Sequence, residues 1–330
     1  MTTKETAMQR PKFHARAFAM YAAVLFAFTA SAEEAAEAAE APKLDAKYTK
    51  CFSGVMTDVE GASYAESITK LVQGAPAGEV KALVAALNKI IDAGAKRGNE
   101  GGDAKDITFD AVNTKVCVYV NIAKDTESPA VRKAVEGEAA AARKKGASLD
   151  ADRQISIAEN ERKIYLARLK PVLGMDEGSL TQAFTEGVPI WGDVDQRRGK
   201  EVVMEASLKN FAANNAALSA FDDVLHSKSA GAAKKAMVLL DQKMSAATRT
   251  LLPSIGGEKP PKEFAEKIHA AQAMYYAMAM KKAADGCQAE DVKAVLQGKA
   301  KELKSKAAAH AKRQKDAGDK AKFESLLQEL

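Results

Sequence analysis

The sequence has few of the residues from which catalytic and metal sites are built. Its 330 residues include only four histidines and three cysteines. Every histidine stands alone, without an adjacent nucleophile or further ligands, and no two cysteines have the short spacing of a zinc or redox site. The sequence therefore predicts a protein that is not an enzyme and that holds neither a metal ion nor another cofactor.

Proline, net charge and long apolar runs are scarce as well. Nine prolines stand against 67 alanines, a composition that favours helices over sheets. The 49 basic and 44 acidic side chains leave a net charge of +5, too small for a nucleic-acid-binding protein or a disordered acidic one. Beyond the N-terminus no apolar run approaches the ~20 residues of a membrane span, which excludes a polytopic membrane protein.

Residues 1–32 have the pattern of a secretory signal peptide. Basic residues precede the apolar segment from Ala17 to Ala30, and the small residues Ala30 and Ala32 fit the cleavage pocket of signal peptidase. We expect cleavage after Ala32, followed by an exposed spacer of alanine and glutamate over residues 33–47. The predicted location is outside the cell or on its surface. A mitochondrial presequence is the alternative interpretation of the same segment.

The three cysteines, Cys51, Cys117 and Cys287, all follow the signal segment. In an oxidising compartment this odd number means one disulfide and one remaining thiol. The sequence leaves the three pairings open. We favour a bridge between Cys51 and Cys117, which would tie the start of the chain to the first long hairpin, with Cys287 as the free thiol.

The spacing of apolar residues predicts an all-α fold, an elongated bundle of long antiparallel helices over residues 48–298. Residues 78–96 carry one apolar stripe, and residues 109–123 keep helical spacing despite many β-branched side chains. We predict that Ser128 and Ser148 cap the next two helices. Further helices are expected at residues 193–226, 230–252, 263–285 and from 288 onward.

An irregular segment interrupts these helices between residues 174 and 193. It contains four glycines, a proline and the only tryptophan of the chain. We call it the head segment, because the free end of a bundle is the part that meets a ligand. The predicted partner-binding residues are Val188, Pro189, Ile190 and Trp191.

Two charged segments are interpreted as solvent-exposed. The Glu159, Glu161, Arg162 and Lys163 side chains resemble a solvated helix face with weak ion pairs. Residues 299–330 form a basic C-terminal helix or tail, with nine basic and three acidic residues up to position 322. The tail is expected to be a solvated helix, or else to contact an acidic partner or an anionic membrane surface.

A signal peptide, an alanine-dominated helical body, few cysteines and an irregular head between long helices resemble a known group. They are similar to the alanine-rich surface proteins of African trypanosomes, which are related to the variant surface glycoproteins and the haptoglobin–haemoglobin receptor. The resemblance covers about residues 43–299 and concerns architecture, so no binding residue is carried over. It implies an elongated bundle of about three long helices that stands on a membrane as a coat protein or receptor.

From these features we predict a non-catalytic helical bundle, secreted or at the cell surface, that acts as a coat component or as a receptor. Its partners would be a protein ligand or neighbouring coat proteins, with a membrane nearby and no nucleic acid. The alternative is an accessory structural subunit of an organelle membrane complex, delivered by the same N-terminus acting as a presequence.

Overall fold

The computed structural model describes residues 44–174, 200–256 and 262–330. Within these segments the chain forms eleven α-helices and no strand, which confirms the all-α helical-bundle class. In chain order the helices are α1 (Ala46–Cys51), α2 (Asp58–Val72), α3 (Ala77–Gly98), α4 (Ala104–Asp125), α5 (Pro129–Gly146), α6 (Ala151–Leu173), α7 (Lys200–Leu225), α8 (Ala230–Gly256), α9 (Lys262–Gly286), α10 (Glu290–Lys312) and α11 (Ala317–Glu329).

Helices α3 and α4 confirm the two predictions made from apolar spacing. The predicted stripe of α3 is buried at Val80, Val84, Leu87 and Ile91. Helix α4 forms despite its β-branched residues because it packs against α1, α2, α3, α5 and α6. Burial on several sides of one helix stabilises it more than the restricted rotamers of valine and isoleucine disfavour it.

The caps of α5 and α6 differ in how well the sequence predicted them. Ser128 caps α5 as predicted, since its Oγ accepts a hydrogen bond from the Val131 amide at 3.4 Å and Pro129 occupies the first turn. For α6 the prediction of Ser148 is wrong. Asp150 is the cap and accepts from the Arg153 amide at 3.1 Å, whereas the Ser148 hydroxyl donates to the preceding helix.

A large core joins α1 to α10 into a bundle, and a second, smaller core lies between α9, α10 and α11. Helix α6 packs against α7, α7 against α8, and α9 against α10, while contacts of α6 with α9 and of α8 with α10 connect these pairs. The core residues run from Tyr48 in α1 to Leu303 in α10. The described residues therefore belong to a single compact unit.

A disulfide and a close contact at a glycine attach α1 and the loop that follows it to the rest of the bundle. Cys51 of α1 is bonded to Cys117 of α4. The loop that follows lies against α3, where a Cβ on Gly54 would come within 2.4 Å of the backbone carbon of Gly94. Only glycine permits this close approach of the two backbones. Because the backbones are close, the Val55 amide donates a hydrogen bond to the Gly94 carbonyl at 3.1 Å.

The basic C-terminal segment is packed, which differs from the solvated tail expected from its charge. Helix α10 continues through residue 298, where the boundary between bundle and tail was expected. Its residues Lys299, Leu303 and Ala307 are buried, and α11 adds the buried Phe323. Alanines on α9 and α10 allow this close contact, to which α11 also contributes the partly buried Leu326 and Leu327.

Candidate functional site

The described part of the chain contains a concave cavity of about 560 Å³. It lies between α4, α5 and α6 on one side and α7 and α8 on the other. We call this cavity the cleft. Cavities of ~300–1,000 Å³ between helices are the usual places where proteins bind small molecules.

The cleft exists because short side chains face each other across it. Seven of its lining residues are alanines, drawn from four helices and the turn between α5 and α6: Ala123, Ala139, Ala147, Ala158, Ala212, Ala216 and Ala220. A methyl group does not fill the space that leucine or phenylalanine would occupy between two helices. The alanine content that predicted helices therefore also leaves room between them.

An ion pair between α5 and α6 forms one wall of the cleft. Glu161 is 6% exposed and accepts two hydrogen bonds from the Arg143 guanidinium, at 2.9 Å from Nε and 2.6 Å from Nη2. The Tyr165 hydroxyl donates to the same carboxylate at 3.2 Å. Burial of Glu161 corrects the interpretation of this part of α6 as a solvated face, because Glu161 points inward.

A second charged pair connects α4 with α7. The Lys124 ammonium donates to the Asp223 carboxylate and to the Ser219 carbonyl, both at 2.8 Å. The same ammonium lies 5.9 Å from the centre of the Tyr165 ring, within the range of a cation–π contact. Lys124 is therefore held in place by three groups of the protein itself.

Asn215 of α7 brings an unsatisfied polar atom to the cleft. Asn215 is 4% exposed, and its Nδ2 donates a hydrogen bond to the Ala158 carbonyl at 2.9 Å. Its Oδ1 is buried and has no hydrogen-bond partner. A buried acceptor without a partner costs about 1–3 kcal/mol, so this atom is an exception that calls for an explanation.

Two tyrosines and one arginine of the cleft have shifted pKa values. Burial, together with the negative charge of Glu161, raises the pKa of Tyr165 well above its usual value, and burial does the same to the pKa of Tyr119. Burial alone would lower the pKa of Arg143, but the hydrogen bond to Glu161 and the negative charge of that carboxylate, with smaller contributions from Tyr165 and Glu136, together outweigh burial and raise it. Both tyrosines are thus neutral and the arginine is charged.

The residues predicted as sites differ in what the structure says of them. Val188, Pro189, Ile190 and Trp191 fall outside the described residues, as do the signal segment and most of the spacer. Cys51 and Cys117 form the pair that the sequence favoured, and Cys287 is a half-buried free thiol. In α9 the Met274, Tyr276 and Met280 side chains are buried.

The cleft itself was not predicted. Arg143 and Asn215 are separated by 72 positions in the chain, and no local motif connects them. The only available signal was the combination of alanines and single polar residues on facing helices. Helix pairing would have to be known before that signal could be interpreted.

Comparisons with known protein families, with curated protein sequences and with solved structures give no match. Two further observations concern the described segments only. None of their helices combines the length and the apolar character needed to cross a membrane. No group of three or more histidine, cysteine, aspartate or glutamate side chains in them is arranged to hold a metal ion.

Proposed function

We propose that this chain is a non-catalytic helical-bundle protein, exported from the cytosol, that acts outside the cell or on its surface as a coat component or receptor. The observation that carries the proposal is the Cys51–Cys117 disulfide between α1 and α4. Disulfides of this structural kind persist in oxidising compartments and are rare in the cytosol. The signal-like N-terminus agrees with the same route.

The state of the cleft supports a binding role over a catalytic one. Arg143 is committed to Glu161 and Lys124 to Asp223, so neither basic residue is placed to exchange a proton with a substrate. A general base needs an accessible atom and a pKa near the working pH. A receptor needs only a stable framework and a surface or cavity for its ligand.

The location of the full-length chain tests this proposal. We would express it with a C-terminal tag in its own cell type and treat intact cells with protease and with a membrane-impermeant amine-reactive label. Export predicts that the chain is labelled and cleaved on intact cells or recovered from the medium. Protection of the chain in intact cells together with its co-fractionation with an organelle membrane would overturn the proposal and favour the accessory-subunit alternative.

A control protein with a known cytosolic location is measured in the same cells, because leakage would label both. The partner-binding role of Val188, Pro189, Ile190 and Trp191 stays a prediction within the proposed function. The described residues that line the cleft belong to α4 through α8 and the turn between α5 and α6.

A further inference from the structure

The formal charges of the described side chains that line the cleft sum to zero. Its lining includes three acidic residues, Glu136, Glu161 and Asp223, and three basic residues, Lys124, Arg143 and Lys243. Arg143 with Glu161 and Lys124 with Asp223 are already paired at hydrogen-bond distance. A charged ligand would have to separate one of these pairs or be buried without a counter-charge, and both are costly. The electrostatics therefore favour a neutral ligand.

The remaining surface of the cleft is mostly apolar and small. Methyl groups of the alanines alternate with Val120, Ile157, Leu208 and Leu239, and Leu239 is 43% exposed. When an apolar molecule covers an exposed leucine, apolar surface of both is removed from water, and this burial favours binding. The volume of about 560 Å³ is that of a drug-sized molecule rather than of a single water.

One polar atom gives this cavity directional character. Asn215 lines the cleft, and its buried Oδ1 accepts no hydrogen bond. The terminal amide of asparagine turns about a soft torsion, so a donor arriving in the cleft can meet Oδ1 after a rotation of the side chain. The net gain of one hydrogen bond requires that this rotation be partial, so that Nδ2 keeps its bond to the Ala158 carbonyl of α6.

We propose that the cleft binds a neutral, largely apolar small molecule that donates one hydrogen bond to the Oδ1 of Asn215. The apolar body of the ligand covers the alanines and Leu239. Its hydroxyl or N–H group gives the buried acceptor the partner that the protein does not supply. This inference does not depend on export or on the head segment.

Calorimetry with two matched probes tests the proposal on the full chain. 1-Naphthol carries a hydroxyl donor, and 1-methoxynaphthalene has the same rings without one. We expect both to bind with one molecule per chain and 1-naphthol to bind about tenfold more tightly, the ratio that one satisfied buried hydrogen bond supplies. Failure of both probes to bind the wild-type chain would overturn the proposal, and so would equal affinity for the two.

The substitution Asn215→Leu assigns the preference to the named atom. Leucine has nearly the same size but no acceptor, so the ratio between the two probes should fall below about twofold. Asn214→Leu is the matched control, since Asn214 is equally buried but does not line the cleft. A tenfold preference that survives in Asn215→Leu would contradict the role of Oδ1.

A second pair of variants locates the binding. Ala216→Phe places an aromatic ring in the cleft and should abolish binding of both probes, whereas Ala140→Phe on the exposed face of α5 should leave both affinities unchanged. Unchanged binding in a folded Ala216→Phe variant would show that the probes occupy another site. Each variant is first checked for an unaltered helical circular dichroism spectrum, and the Asn215→Leu comparison stands without this pair.

Discussion

At the scale of single residues, the bundle depends on polar side chains that are buried and satisfied. Asp125 is the clearest example, with a side chain that is 15% exposed. Its carboxylate accepts from the Tyr48 hydroxyl at 2.7 Å and the Arg168 guanidinium at 2.7 Å, and it lies 2.6 Å from the Lys47 ammonium. These contacts join α1, α4 and α6 through one carboxylate.

Asp125 should make stability depend on pH. Burial by itself raises the pKa of this carboxyl, but the bonds from Lys47, Tyr48 and Arg168 outweigh burial and hold the pKa below its usual value. A pKa lowered by folding means that the stabilisation is present above the unfolded value of ~3.9 and is lost as the pH falls through the folded value. Asp125→Asn should therefore cost about 2 kcal/mol at pH 7 and progressively less below pH ~4.

Urea unfolding of both chains between pH 7 and pH 3 measures this difference. Asp92→Asn is the control, because Asp92 pairs with Lys115 but is 49% exposed, and we expect its substitution to change stability by less than ~0.5 kcal/mol. A cost of Asp125→Asn that stays constant down to pH 3 would show that the carboxylate charge is not what stabilises the contact.

At the scale of helices, the unexpected element is α10. Its residue Lys299 is 7% exposed and its ammonium lies 2.7 Å from Asp241 of α8 and 3.1 Å from Glu302. This ion pair ties the basic C-terminal segment to the middle of the bundle. The side chain that begins the expected tail is thus part of a helix–helix contact.

Reversing the charge of Lys299 tests the packing of α10. Lys299→Glu places a carboxylate beside Asp241 and Glu302 in a buried position, and we expect it to lower the free energy of unfolding by about 2–4 kcal/mol. Lys301→Glu, two residues away on the exposed face, should change it by less than ~0.5 kcal/mol. Equal, small effects of the two substitutions in urea unfolding would show that the segment is solvated after all.

The helices also show which structural features the sequence alone predicts. Stripes such as that of α3 and the Ser128–Pro129 start of α5 depend on neighbours within a few residues, and those elements were predicted. Ser148 and Asp150 compete near the start of α6, and the choice of Asp150 depends on geometry that local sequence does not contain. The burial of Glu161 and Lys299 depends on which helices face them. Long-range pairing, rather than helix formation, is the information that was missing.

At the scale of the whole molecule, the two main features are one disulfide and one cavity. The Cys51–Cys117 bond closes a chain segment of 66 residues and holds α1 on α4, a constraint worth ~4 kcal/mol in the loop-entropy model. The cleft joins α4, α5 and α6 to α7 and α8 around a neutral, alanine-lined space. A stabilised framework around a preformed cavity is what a binding protein requires.

The most direct test of export is the chemical state of the chain taken from its native cells. The protein is alkylated at the moment of lysis, digested without reduction and mapped by mass spectrometry. The account predicts a crosslinked peptide pair containing Cys51 and Cys117, a singly alkylated Cys287 and a new N-terminus at Glu33. Three alkylated cysteines on a chain that still begins at Met1 would contradict it.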